Sequence, residues 1–265
     1  MTNVCKVLIR ELYHLSRGST YASVILSSLS IFTTPLNSSI NSQLNVAAHY
    51  DLCNKMLESL LSADMTYSCP IWKSAAIDDS ESLETAKLRK LRHIIQAADI
   101  QSSDHVLEVG TGCGSFAIEA VQETGCSMIS ATLSKDQKAT AEQRIASQGF
   151  SGKTKVLFCD YRELLVLNVL YDKIVSIEMV EHVGLQYLET CFRTVDRLLN
   201  AENGITSFQS SIMPESIYYR TSPAKGFVSD YIFPGGHLPS ATQLVEAINK
   251  GSSGRLCLDH VECLG

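Results

Sequence analysis

Apolar residues recur along this chain with two periods, and the switches between them mark out short strands and amphipathic helices. Over residues 83–98, Leu88, Leu91, Ile94, Ile95 and Ala98 fall on one helical stripe, with Lys87, Arg89, Lys90 and Arg92 expected on an opposite, solvated face. Strand patterns then alternate with helical ones. Strands are expected over 106–109, 128–132, 155–159, 173–177 and 204–208, and helices from 115, over 134–148 and over 187–199. Strands separated by helices predict an α/β fold, a parallel sheet covered on both faces and joined by right-handed crossovers. Ligands in such sheets sit at the carboxyl ends of the strands, so residues 110–114, 133–137, 160–162, 178–182 and 209–211 become the candidate site segments.

The flanks are less regular. Leu52, Met56, Leu57, Leu60 and Leu61 predict a helix over 46–61, beginning near His49-Tyr50-Asp51. The uncharged run Met65-Thr-Tyr-Ser-Cys-Pro-Ile-Trp72 mixes hydroxyls and a thiol with large apolar groups, as expected of chain wrapped around a ligand. Residues 210–238 hold prolines, tyrosines and a Gly-Gly pair with no strong period, which suggests a lid or a substrate channel. The alternation in 255–261 predicts a sixth strand. Residues 1–40 read as a poorly defined N-terminal extension; the apolar run 23–32 is too short to span a bilayer, and Thr33-Thr-Pro-Leu36 makes a poor cleavage site for a signal peptide.

Composition narrows the function. The 265 residues are 45% apolar and 19% charged, ordinary for a globular protein, and a net charge of −6 with scattered Lys and Arg leaves no footprint for nucleic acid. Nine cysteines form an odd set without a C-x-x-C pair, which predicts reduced thiols in a cytosolic setting and no zinc site.

The candidate chemistry centres on Val106-Leu-Glu-Val-Gly-Thr-Gly-Cys-Gly-Ser-Phe116, an apolar strand that runs into three alternate glycines and then a helical pattern. Gly110, Gly112 and Gly114 leave main chain bare where a strand must turn and a ligand must touch it, and the next helix offers its free N–H groups. The spacing G-x-G-x-G is not the dinucleotide fingerprint, and the following strand ends in Thr132-Leu133-Ser134 with no carboxylate for a ribose, which disfavours NAD.

Glu108-x-Gly-x-Gly-x-Gly114 resembles motif I of the S-adenosylmethionine (SAM) methyltransferases. Taken with His49-Tyr-Asp-Leu52, Met65-Thr-Tyr-Ser-Cys69, Thr132-Leu-Ser-Lys-Asp-Gln137, Asp160-Tyr-Arg162, Ser176-Ile-Glu-Met-Val-Glu-His-Val-Gly184 and Tyr231-Ile-Phe-Pro-Gly-Gly-His-Leu-Pro-Ser240, the chain resembles the cyclopropane fatty acid synthase family, including the mycolic acid cyclopropane synthases, from about residue 40 onward. The resemblance implies a Rossmann-like class I methyltransferase domain over 41–265, with the last strand of that fold missing. It implies a SAM-dependent carbon methyltransferase that adds a methylene across a double bond of a phospholipid acyl chain. In that mechanism the alkene attacks the sulfonium methyl, and a bound bicarbonate removes a proton as the ring closes. An apolar pocket holding an anion suits such a cation.

Carried over by position, the resemblance gives cofactor contacts to Tyr67, Ser68, Gly110, Gly112 and Gly114, to Thr132, Leu133 and Ser134, to Gln137 at the ribose, and to Tyr161 and Arg162 near the adenine. The bicarbonate falls to the Cys69 main chain, Glu181, Gln209 and the Ser211 main chain, while His182 reads as structural. Gln209 departs from the histidine of bacterial members: its amide can donate to an anion but cannot relay a proton. The chain also stops before a tyrosine that completes the family's anion site. The implied partner is an unsaturated lipid or other alkene, with no nucleic acid, in a cytoplasmic protein with room for peripheral membrane contact. A small-molecule C-methyltransferase of specialised metabolism, or a catalytically weak paralogue, are the alternatives.

Overall fold

The computed structural model describes residues 42, 61–62, 64–73, 81–221 and 235–264. The N-terminal extension, the helix expected over 46–61 apart from Leu61, His49-Tyr50-Asp51 and the Tyr231–Pro234 part of the late motif lie outside the described residues.

Five strands build one parallel sheet: β1 (His105–Val109), β2 (Ser127–Thr132), β3 (Thr154–Phe158), β4 (Lys173–Ile177) and β5 (Ile205–Gln209), in the order β3-β2-β1-β4-β5. The order reverses beside β1, so the crevice above that strand's carboxyl end is where a ligand has room. Helices α1 (Leu83–Ala97), α2 (Ser115–Thr124), α3 (Lys135–Ser147), α4 (Leu188–Leu198), α5 (Glu215–Thr221) and α6 (Ala241–Ser252) complete the described elements, with short 3-10 turns at Tyr161–Leu167, Val180–His182 and Leu185–Tyr187.

Period-2 side chains divide the core between the two faces of the sheet. Val106, Met128, Val156 and Val175 pack with Leu91, Ile94 and Ile95 of α1, Phe116 and Ala120 of α2, and Ala141 and Ile145 of α3. Leu107, Val109, Ala131 and Ile174 face the other way, against Leu164, Tyr171, Val195 and Leu198. Outside α4, Ala247 of α6 joins Leu188, Cys191 and Phe192. Local chemistry agrees with the element ends: Ser82 and Ser134 accept hydrogen bonds from the first turns of α1 and α3, and Ser240 with Gln243 closes a capping box on α6.

Two expectations are corrected. Residues 255–261 form no strand: Gly254 turns the chain out of α6 with φ +77°, Leu256 packs against the core cluster that holds Leu198 and Leu199, and Cys257, Leu258 and Val261 are exposed. Among the described residues no strand lies beside that alternating pattern to pair with it, and Arg255 is held instead by Asp196 and Glu262 by His93. The basic face of α1 is not wholly solvated either, because Lys87 and Lys90 are buried. Among the described residues, no helix is long and apolar enough to cross a membrane.

Candidate active site

The turn after β1 is held tightly from below and left bare above. Gly110 and Thr111 both donate to the Ala131 carbonyl of β2, at 2.9 and 3.2 Å, and Gly114 donates to Thr111 at 2.9 Å. All three glycines have positive φ, +102°, +51° and +83°, but for different ends. A Cβ on Gly114 would lie 3.0 Å from the Ala141 Cβ of α3, so that glycine lets helix and loop pack. A Cβ on Gly112 would meet nothing within 4 Å, because the position opens on a cavity over the carboxyl ends of the strands.

Gly110, Gly112, Thr132, Leu133, Gln137, Tyr67, Ser68 and Tyr161 all line that cavity. Gln137 is oriented by Thr132, whose hydroxyl donates to Gln137 Oε1 at 2.9 Å. The Tyr161 hydroxyl is buried without a hydrogen-bond partner among the described residues. Three of the residues assigned to the cofactor stand behind the wall instead. Gly114 packs on α3, Ser134 is a buried N-cap, and Arg162 holds Asp160 through Nε at 2.7 Å and a second nitrogen at 2.6 Å, sandwiched between the Tyr161 and Tyr187 rings.

Glu108 contributes a carboxyl that the sequence reading left unassigned. It is buried on the cavity wall, accepts a hydrogen bond from the Ser130 hydroxyl, and burial pushes its pKa up to about 8.

A second polar group joins the cavity beside Ser68. Glu178, at the end of β4, lines the cavity with φ +48°, a left-handed backbone that glutamate rarely adopts. Its Oε1 accepts the Gln209 amide at 3.0 Å and the Cys69 N–H at 3.3 Å. Ser68 Oγ in turn donates to Gln209 Oε1 at 3.4 Å and accepts from the buried ammonium of Lys90. Burial pushes the Glu178 carboxyl up, but the bonds from Gln209 and Ser68, the Lys90 charge and the Cys69 N–H hold it below the usual carboxylate value. Burial chiefly drives Glu181 the other way, above that value, against an N–H bond from Ser211 and with the Glu178 charge adding to the rise. Two carboxyls three residues apart are therefore pushed in opposite directions by their surroundings, an arrangement suited to acid–base work.

The four residues assigned to the anion, Cys69, Glu181, Gln209 and Ser211, divide between two carboxyls. Cys69 and Gln209 bond to Glu178, and Ser211 bonds to Glu181. Sequence reasoning placed Glu178 in a candidate segment without giving it a role, and it turned Lys90 outward. Helical spacing carried the missed signal, because residues 87 and 90 lie one turn before Leu91 and Ile94 on the buried side of α1.

A family model described as mycolic acid cyclopropane synthetase matches residues 37–260. The chain belongs to this family. It is 33% identical over 215 residues to the tuberculostearic acid methyltransferase UfaA1 of Mycobacterium tuberculosis, covering 80% of this chain and 49% of that protein. It is also 33% identical over 199 residues to the cyclopropane-fatty-acyl-phospholipid synthase of Escherichia coli, covering 75% and 48%. The chain thus spans about half the length of these curated relatives. Among solved structures, mycolic acid cyclopropane synthase CmaA1, in complex with SAH and CTAB, superposes with a TM-score of 0.69 at 26% identity, covering 77% of this chain and 72% of that one. The Rossmann-like methyltransferase fold expected from the sequence is the fold observed.

Proposed function

We propose that the domain from about residue 41 onward is a SAM-dependent C-methyltransferase that transfers a methylene unit to the double bond of an unsaturated acyl chain, most simply one carried by a phospholipid. The observation that carries this reading is the single cavity that joins the bare Gly112 turn to the Glu178 carboxylate. The residues present fit the cofactor: a main-chain cradle free of side chain, an amide at Gln137 and, among the described residues, an unpartnered Tyr161 hydroxyl and a buried Glu108 with no cation beside it. Bound SAM would supply an electrophilic methyl on a sulfonium.

The protein's own residues then divide the labour. Gly110 and Gly112 offer main chain to the cofactor, and Gln137, fixed by Thr132, is placed for its ribose. Leu61, Met65, Leu91, Phe116 and Met179 keep the cavity apolar, which protects a carbocation from water. Glu178 holds negative charge at the wall of the same cavity, where the developing cation is stabilised. The bicarbonate implied by the resemblance does not fit these residues as they stand, because the Cys69 N–H and the Gln209 amide that would bind it both donate to Glu178.

The test is incubation of the purified chain with SAM and vesicles of a dioleoyl phospholipid, followed by mass spectrometry of the released acyl chains. A gain of one methylene per chain, with cyclopropyl proton signals by NMR, is expected. Transfer to soluble small alkenes in preference to lipid would move the substrate class to specialised metabolites, and no transfer to either would remove the activity.

A further inference from the structure

Glu178 stands in an unusual position: its carboxylate takes up the two donors that an external anion would need. Three features converge on it. The donors Cys69 N–H and Gln209 Nε2 both end on its Oε1. The buried Lys90 ammonium sits within the same group through Ser68 and offsets the negative charge. The backbone at Glu178 keeps a left-handed φ of +48°, fixed by a bond from its own N–H to the Gln209 carbonyl at 2.8 Å, so the carboxyl is aimed at the cavity at the expense of local conformational preference. A second anion beside Glu178 would find its donors taken and a like charge in contact.

We propose that the Glu178 carboxylate replaces bicarbonate in this chain and itself accepts the proton released during methylene transfer. The inference rests on the methyltransferase reading. The alkene π pair forms the new bond to the methyl carbon while the S–CH3 pair returns to sulfur, giving a carbocation and S-adenosylhomocysteine. A proton then leaves the transferred methyl for Glu178, its C–H pair closes the three-membered ring, and the carboxyl is left neutral. Ionisation to solvent restores it for the next turnover. Gln209 serves as a positioning residue: its amide fixes the acceptor oxygen, a task for which an uncharged side chain suffices.

Two variants and one anion test this. Glu178→Gln keeps an acceptor oxygen but cannot take a proton, and is expected to lose at least about a hundredfold in turnover, the scale of a lost general base, with SAM affinity by calorimetry unchanged. Glu178→Gly suits the left-handed backbone and vacates the donors. In carbon-dioxide-depleted buffer it should be inactive, sodium bicarbonate should restore at least a tenth of wild-type turnover, and bicarbonate should raise its melting temperature relative to sodium chloride at matched ionic strength. Wild type should show neither stimulation nor stabilisation by bicarbonate. Wild-type turnover that depends on bicarbonate, a Glu178→Gln variant with full activity, or a Glu178→Gly variant that bicarbonate neither stabilises nor rescues would each overturn the proposal. The melting arm reads the anion site even if no lipid is methylated: stabilisation of the glycine variant alone supports the replacement, and stabilisation of wild type defeats it.

Discussion

The Arg144 guanidinium donates to the Cys113 carbonyl at 2.6 Å, so α3 grips the glycine loop by its main chain. The same group donates to the Asp64 carbonyl at 2.8 Å, which ties the 64–73 segment to the floor of the cavity. Methionine at this position would fill the space and abandon both carbonyls. Arg144→Met is expected to cost about 1.5–3 kcal/mol in chemical denaturation, the range for bonds to a charged donor, and to weaken SAM binding. Arg144→Lys should recover little, since one ammonium cannot reproduce the planar fork that reaches both oxygens. Calorimetric SAM titration of the two variants checks the binding half.

Gly112 is open above and strained for any other residue below. Its φ of +51° disfavours a β-branched side chain, and the vacant Cβ direction is where the cofactor would lie. Gly112→Val is therefore expected to abolish measurable SAM binding while circular dichroism stays native. Gly114→Ala should instead act through packing, because its Cβ would stand 3.2 Å from the Ala141 Cα, and it should lower the melting temperature in the absence of cofactor. Opposite behaviour of the pair, with Gly112→Val binding normally, would show that the loop is only a turn.

Lys90 links α1 to the carboxylate through Ser68. Burial drives its pKa down, with the Glu178 charge the main opposing influence. Removing the ammonium lets the Glu178 carboxyl rise, since the Lys90 charge is one of the effects holding it low. Because ionised Glu178 is the active form, the acid limb of the pH–turnover profile in Lys90→Met should move to higher pH than in wild type. The alkaline limb and the SAM affinity should not move. An unshifted acid limb would mean that Lys90 only packs α1.

The sheet was legible because its signals are local. Each of β1 to β5 is a short run of strand-forming residues between turns or helices, and the observed limits, such as Thr154–Phe158 for the run read as 155–159, differ only at the ends, where hydrogen bonding rather than composition decides. The glycine loop was legible for the same reason. Lys87 and Lys90 were not, because their partners Ser62, Thr66 and Ser68 come from a segment some twenty residues away, and only that segment makes burial of two ammonium groups tolerable. Arg162 was misread for a related reason. A planar cation after a strand looks like a base-stacking group, yet Asp160 two residues earlier captures it, and the Tyr161 and Tyr187 rings close over it. The strand expected over 255–261 failed because alternation marks a strand only where a neighbour supplies the ladder.

Glu108 ties the cofactor cavity to the pH dependence of stability. In the unfolded chain its carboxyl ionises near 4.5, whereas burial in the folded chain raises the pKa to about 8. Between these values the native state holds a proton that the unfolded state has lost, so this residue makes stability fall as pH rises from about 4.5 to 8 and adds no further slope above that. The slope from one such group is at most about 1.4 kcal/mol per pH unit. Glu108→Gln keeps the shape and an acceptor for Ser130 but cannot ionise, so its unfolding free energy should decline less steeply than that of wild type over this window, and the two curves should run parallel above it. A cationic cofactor beside Glu108 favours the ionised form, so SAM binding to wild type near pH 7 should release a proton, seen as a dependence of calorimetric heat on the ionisation enthalpy of the buffer. The glutamine variant should lack that dependence. Equal pH slopes in the two proteins, together with buffer-independent binding heats in wild type, would show that Glu108 is already ionised in the empty cavity.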